Sequence, residues 1–200
     1  MPQSRLINPE ISNIVLHMKP SQKTIDIEAN RKDVKWSARQ NSARVLWALL
    51  QPMFRFSPRP MWTWRNALLR AFGAEIGRSV RIFPSTRIEI PWNLQIGDFV
   101  GVGDGAILYA LGAIVIGDRA TISQNAHICA GSHDYRGRKM TLTKPPIEIG
   151  AEVWVCADAF VGPGVKVGDR AIVGARAVVT QNVECDWIVA GNPATKIGDR

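Results

Sequence analysis

The chain has little histidine and little cysteine, three of each. The cysteines, Cys129, Cys156 and Cys185, form no CxxC pair and no metal-ligand spacing, and an odd number fits a reducing compartment better than a disulfide framework. The opening stretch, MPQSRLINPEISNIVLHMKP, lacks the basic and then long apolar regions of an export signal, and no apolar run reaches the roughly 20 residues that span a bilayer. These absences predict a cytoplasmic protein without a membrane span. A GxSxG elbow is missing too, which excludes that kind of nucleophilic serine. Acid is scarce at one end: residues 1–73 carry 4 Asp and Glu against 12 Lys and Arg, whereas residues 74–200 carry 13 of each.

What is present suits one ordinary domain with a small addition. Two hundred residues bury a core without disulfides, and 46% apolar with 21% charged residues excludes a disordered chain. The net charge of +8 belongs wholly to the first 73 residues, which also hold Trp36, Trp47, Trp62 and Trp64, four of the seven tryptophans. Composition therefore divides the chain near Gly73 into a basic, aromatic section, 1–73, and a second region, 74–200. Such a charge invites a nucleic-acid partner, but no pattern of a nucleic-acid-binding fold accompanies it, so none is expected.

A period of six dominates the second region. Ile149, Val155, Val161, Val167, Val173 and Val179 follow one another at six-residue intervals, and Gly150, Gly162, Gly168 and Gly174 come after four of them. The fifth position of each hexad is small or branched: Val153, Ala159, Val165, Ala171, Ala177, Val183. Upstream, Ile76, Ile82 and Ile88, then Ile96, Val102 and Leu108, then Ile116, Ile122 and Ile128 fit the same template, with two-residue insertions between the triplets. This period matches neither a two-residue strand alternation nor a 3.6-residue helical one. It fits a polygonal coil. Three hexads close a turn of eighteen, so that Ile149 stacks over Val167, Val155 over Val173 and Val161 over Val179, filling the interior with aliphatic ladders. The expected architecture is an all-β solenoid of about five coils behind an N-terminal helical section.

Between Ile128 and Ile149 the interval is 21 instead of 6, so residues 134–148, DYRGRKMTLTKPPIE, are extruded. A stack does not need them. Solenoid insertions project from one face and build binding sites there, and this one carries Arg136, Arg138, Lys139 and Lys144, with His133 just before it.

The hexads, with PRPMWTWRNALLRAFGAEIG, PWNLQIGD, ISQNAHICAGSHDY and AFVGPGVKVGDRAIVGARAVVT, resemble the hexapeptide-repeat acetyltransferases. The likeness is strongest to the colanic acid biosynthesis acetyltransferase-like branch, relatives of the maltose and nodulation acetyltransferases, and runs from about Ile76 to Ala194. It implies a left-handed parallel β-helix; the hand rests on the resemblance, since parallel crossovers are otherwise right-handed. The implied activity is acetyl transfer from acetyl-CoA to a sugar hydroxyl in exopolysaccharide or surface-glycan biosynthesis, with N-acetylation of an amino or nucleotide sugar as the alternative. In this family the histidine ahead of the loop is catalytic, which makes His133 the candidate general base, and imidazole, with a reference pKa of about 6.5, suits proton removal near neutrality. Asp134, Tyr135 and Asn125 are candidate acceptor contacts, although Asp134, next to His133 in extended backbone, points the other way and reads equally as a loop-starting carboxylate. His127 reads as a packing or subunit-interface histidine.

The segment VWVCADAFVGPGVKVGDRAIVGARAVVTQNV, followed by AGNPATK, resembles the coils that hold the pantetheine arm of coenzyme A. Trp154, Ala157, Gly162, Ala175, Ala177 and Thr180 are the implied contacts, since small residues let an extended chain approach backbone. Relatives carry basic residues where this chain has Gln181 and Thr195, which leaves Lys196 to meet the 3′-phosphate. The resemblance also implies a homotrimer with active sites between subunits. No metal is expected: of His17, His127 and His133, the first lies outside the repeat.

Within the basic section, residues 42–56 and 61–72 read as two short helices interrupted by Pro52 and the SPRP turn. They are expected to cap the open end of the solenoid by burying Leu46, Leu49, Leu50, Leu68 and Leu69. A second reading, compatible with the first, settles their Trp, Phe and Arg side chains at an anionic surface of the inner membrane.

Overall fold

A computed structural model describes residues 24–200. His17 and the rest of the first 23 residues lie outside the described part. The chain divides into two compact units, Met1–Asp33 with Asp134–Thr141, and Val34–His133 with Leu142–Arg200.

The larger unit is a parallel solenoid with three faces. The first stacks Glu75–Ile76, Leu94–Ile96, Ile114–Ile116, Ile147–Ile149 and Lys166–Val167. The second stacks Arg81–Ile82, Gly101–Val102, Thr121–Ile122, Trp154–Val155, Ile172–Val173 and Trp187–Gly191, and the third Arg87–Ile88, Ile107–Tyr109, His127–Cys129, Phe160–Val161 and Val178–Val179. Five coils are complete, and a sixth begins where Val183 bridges to Val167. The register is the one that the hexads dictate: Ile149 pairs with Val167, Val155 with Val173 and Val161 with Val179. All of these side chains are buried, and the ladders form one core.

The corners explain the glycines. Ser79, Phe99, Arg119, Glu152, Arg170 and Asp186, each at the same corner of successive coils, have left-handed φ angles between 54° and 63°. Two residues before five of them stands glycine, where one coil's backbone presses on the next: a Cβ at Gly117 would lie 2.6 Å from the Ala151 nitrogen. Beside these glycines, the Asp98, Asp118 and Asp169 carboxylates accept the backbone N–H groups of Arg78, Asp98 and Ala151. The Arg78 N–H holds the Asp98 carboxyl below its usual pKa range.

Backbone bonds join the coils in both directions: Gly77 and Gly97 donate to Ile96 and Ile116 of the following coil, and Phe99 and Arg119 donate back to Arg78 and Asp98. Carbonyls at the outer edge of the first coil have no preceding coil to bond them. Two helices, Ala38–Arg55 and Trp62–Ala71, supply side-chain donors instead. Arg70 Nη2 reaches the Ile76 carbonyl at 2.8 Å, Asn66 Nδ2 that of Val80 at 2.9 Å, Arg65 Nε that of Ile82 at 2.7 Å and Trp47 Nε1 that of Ile88 at 2.9 Å.

Two expectations about these helices need correction. Pro52 does not interrupt the first, which starts from a Ser37–Gln40 capping box and runs through to Arg55. Pro52 lies in the last turn, where only one internal bond is forfeited, and its carbonyl still accepts from Phe56. Nor are all five leucines buried: Leu69 is, Leu50 and Leu68 are partly so, but Leu46 and Leu49 face solvent. The inward side belongs to Trp47 and Phe54, seven residues apart and hence on one side of the helix, with rings 6.2 Å apart.

In the smaller unit, Asp26 caps the helix Ile27–Lys32 by accepting from the Ala29 N–H at 2.9 Å. The extruded chain is tied to this helix: Asp26 N–H donates to Arg138 O at 2.8 Å, and Asn30 Nδ2 to Lys139 O at 2.6 Å. Among the described residues no helix is long and apolar enough to cross a membrane.

Candidate active site

The wall is interrupted after the third coil. There Ser132–His133 pairs antiparallel with Leu142–Thr143, His133 opposite Leu142. Gly131 lets the chain leave the wall, since a Cβ at this position would meet the Leu111 side chain at 2.9 Å. Lys144 secures the returning strand: its Nζ donates to Lys35 O at 3.0 Å and stands 3.4 Å from the centre of the Trp36 ring, which Arg44 also covers at 4.9 Å. Burial, then the Arg44 charge, pushes the Lys144 pKa down. His133 itself is exposed, so a dissolved alcohol can reach its imidazole.

The other candidates are dispersed. Asn125 is an exposed corner residue with a left-handed φ of 56°, and its N–H bonds Asp104 O at 2.9 Å, so the turn accounts for it. Asp134 and Tyr135 belong to the smaller unit. The Asp134 carboxylate accepts from the Arg136 and Gly137 N–H groups at 3.1 and 3.3 Å, a loop-starting arrangement, and Tyr135 is exposed beneath the Arg136 guanidinium.

Trp154 stands outward on the second face, its Nε1 donating to Ser123 Oγ at 2.9 Å. Ala157 and Ala175 meet at the next corner, where Arg176 N–H bonds Ala157 O at 2.9 Å, and Thr180 is exposed beyond the third face. Ala177 is corrected from contact to core: its methyl is fully buried inside the prism, as the fifth hexad position always is. Gly162 is also buried, and a Cβ there would lie 3.1 Å from Val179 O, so coil spacing accounts for it. Lys196 already shares its charge, with Nζ 2.7 Å from the Asp199 carboxylate and 4.9 Å from the Trp187 ring centre. Among the described residues no group of three or more His, Cys, Asp or Glu could hold a metal ion.

Known proteins show the same construction. The family described as "Bacterial transferase hexapeptide (six repeats)" matches residues 146–181. The "Putative colanic acid biosynthesis acetyltransferase WcaF" of Escherichia coli (strain K12) is 44% identical over 157 residues, 78% of this chain and 86% of that protein. The chain belongs to the hexapeptide-repeat acetyltransferases. This acetyltransferase is also 24% identical to the galactoside O-acetyltransferase of Escherichia coli (strain K12), over 66% of its own length and 67% of the relative's. A hexapeptide-repeat-containing acetyltransferase of Vibrio cholerae O1 biovar eltor, solved with acetyl coenzyme A, superposes with a TM-score of 0.76 at 27% identity, covering 83% of this chain and 91% of that one.

One feature of the acetyltransferase escaped sequence reasoning as a whole, although His127 hinted at it. The outward register of the third face reads Arg87, Ile107, His127, Phe160 and Val178, an imidazole flanked by apolar Ile107, Phe160 and Val178 with a cation at the end of the column. The His127 ring lies edge-on to Phe160 at 5.3 Å and to Tyr109 at 6.3 Å, and among the described residues its buried Nε2 has no hydrogen-bond partner. Desolvation, then the Arg87 charge, pushes the His127 pKa below 6.5. Burial likewise raises the Tyr109 and Cys129 pKa values, so these groups stay neutral at neutrality. Because the unfolded chain binds the His127 proton more readily than the folded one, stability falls as pH drops below about 6.5. Melting curves between neutral and mildly acid pH check this: His127→Leu is expected to lose less stability on acidification than wild type, and parallel losses would contradict the assignment.

Proposed function

We propose that the enzyme transfers acetyl from acetyl-CoA to a hydroxyl of a sugar, in the cytoplasm, during exopolysaccharide or surface-glycan biosynthesis, with His133 as general base. The observation that carries this reading is the position of His133, exposed on a strand pair at the interruption of the wall. The name of the Escherichia coli WcaF relative supports the glycan assignment, that of the galactoside O-acetyltransferase the O-acetylation, and the Vibrio cholerae complex the donor. As the acceptor oxygen bonds to the acetyl carbonyl carbon, its proton passes to the imidazole. When the carbon–sulfur bond breaks, the imidazolium returns that proton to the leaving thiolate. Trp154, Ala157, Ala175 and Thr180 line the path for the pantetheine arm, where small exposed side chains leave backbone approachable, and Lys196 turns from Asp199 to the 3′-phosphate. In this reading residues 1–73 form the end section and residues 74–200 the catalytic solenoid.

An acceptor panel of sugars, amino sugars and nucleotide sugars tests the reaction. O-acetylated products lose acetate in mild alkali, whereas alkali-stable amides formed only from amino sugars would replace the reading with N-acetylation.

The third face fits a homotrimer, since its apolar residues and the unpartnered His127 nitrogen are suited to packing against another copy. Light scattering is expected to give three times the 22.1 kDa chain mass. Phe160→Glu is expected to dissociate the assembly; an unchanged mass would exclude this face as the contact.

A further inference from the structure

The helix that caps the solenoid also carries apolar side chains outward. Val45, Leu49, Met53 and Phe56, spaced four, four and three residues apart, form one stripe, with Leu49 71% and Phe56 86% exposed. Met61 and Trp64 of the neighbouring segment extend it, and Trp64 Nε1 joins the two by donating to Met53 O at 3.2 Å. Beside the stripe runs a groove of about 920 Å³, with Leu46, Leu50, Phe72 and Trp92 in its lining and Arg39 among its polar residues.

Charge separates the candidate occupants. Between Asp33 and Glu75 the sequence has no acidic residue and seven basic ones, of which Arg39, Arg55, Arg59 and Arg70 are exposed. Two copies meeting through this surface would set basic residues against basic residues, whereas an anionic lipid surface supplies the opposite charge. The helix has 18 residues and no membrane-crossing character, so it lies along such a surface instead of piercing it.

We propose that the Val45–Leu49–Met53–Phe56 stripe docks the enzyme on an anionic bilayer, with the stripe in the headgroup–acyl boundary and exposed arginines among the phosphates. This docking is independent of the acetyl-transfer reading. It would hold the enzyme where lipid-linked molecules are presented.

The full chain is sedimented with phosphatidylcholine vesicles, with and without phosphatidylglycerol, at low and high salt. Wild type is expected to bind the anionic vesicles at least about tenfold more tightly than the neutral ones, and more weakly as salt rises. Leu49→Glu combined with Phe56→Glu is expected to reduce that binding about tenfold or more, with the melting temperature and acetyl transfer to a dissolved acceptor unchanged. Arg39→Gln with Arg55→Gln is expected to lower the preference for phosphatidylglycerol, and this pair decides the matter if the glutamate variant melts early. No pelleting by wild type, or equal pelleting of wild type and both variant pairs, overturns the proposal. So does a fall in oligomeric mass in the glutamate variant without any change in lipid binding, which would make the stripe a contact between copies.

Discussion

Replacement of His133 by alanine is expected to lower kcat/KM for acetyl transfer by about 10² to 10⁴, the usual contribution of a positioned acid–base group. That range corresponds to about 2.7 to 5.5 kcal/mol of transition-state stabilisation. The loss should fall on kcat, with KM for acetyl-CoA little changed, because the donor contacts assigned above lie on other coils. His133 is exposed on its strand, so its removal is expected to leave the melting temperature close to wild type. The residual rate should climb with pH, as hydroxide and ionised acceptor take over the work of the missing base. A variant that keeps its rate within a few-fold would remove His133 from the chemistry. His133→Gln sharpens the comparison, since its amide keeps hydrogen-bonding capacity without a basic nitrogen.

Arg65→Ala is expected to be the most destabilising change in the end cap, by about 3 kcal/mol, and to lower the melting temperature by roughly 10 °C. The guanidinium is fully buried and, among the described residues, has no carboxylate partner. Its donors instead serve the carbonyls of Ile82, Pro58 and Arg59 at 2.7, 2.9 and 2.6 Å and the Ser57 hydroxyl at 2.8 Å, while Trp62 covers it at 4.8 Å. Truncation leaves the buried Ile82 carbonyl and three partly buried acceptors without this donor and opens a void. Arg65→Lys should recover only part of the loss, because one ammonium cannot reproduce the planar fork. Denaturant unfolding with far-UV detection measures both variants; a cost of less than about 1 kcal/mol for alanine would show that water replaces these bonds.

How far the residues disclosed the molecule follows from the kind of signal each feature leaves. The ladders were legible because one hexad position must be aliphatic in every coil, and Ile149 over Val167 is a matter of arithmetic. The interruption was legible as a lapse in that arithmetic, which placed His133 before any coordinate did. Ala177 was legible too: its hexad position is an interior one, and the proposed ligand contact disregarded that periodicity. The left-handed corner column was only half legible: a glycine two residues earlier marks Phe99, Arg119 and Glu152, but their own side chains share no chemistry that announces a left-handed backbone. The clasp at the returning strand was not legible, because Lys35 and Lys144 are 109 positions apart and nothing local to either announces the other. The end cap was half legible. The helices were expected, but Trp47, Asn66 and Arg65 looked like ordinary residues until the orphan carbonyls beneath them were seen.

A stack of parallel coils has two rims, and the coil at either rim lacks a neighbouring coil on one side. Such a body is a monomer for head-to-tail polymerisation, since the bare rim of one copy is the natural template for the opposite rim of the next. Arg70, Asn66, Arg65 and Trp47 act as a chain terminator. Loss of that terminator would therefore create fibre-forming ends as well as a less stable fold.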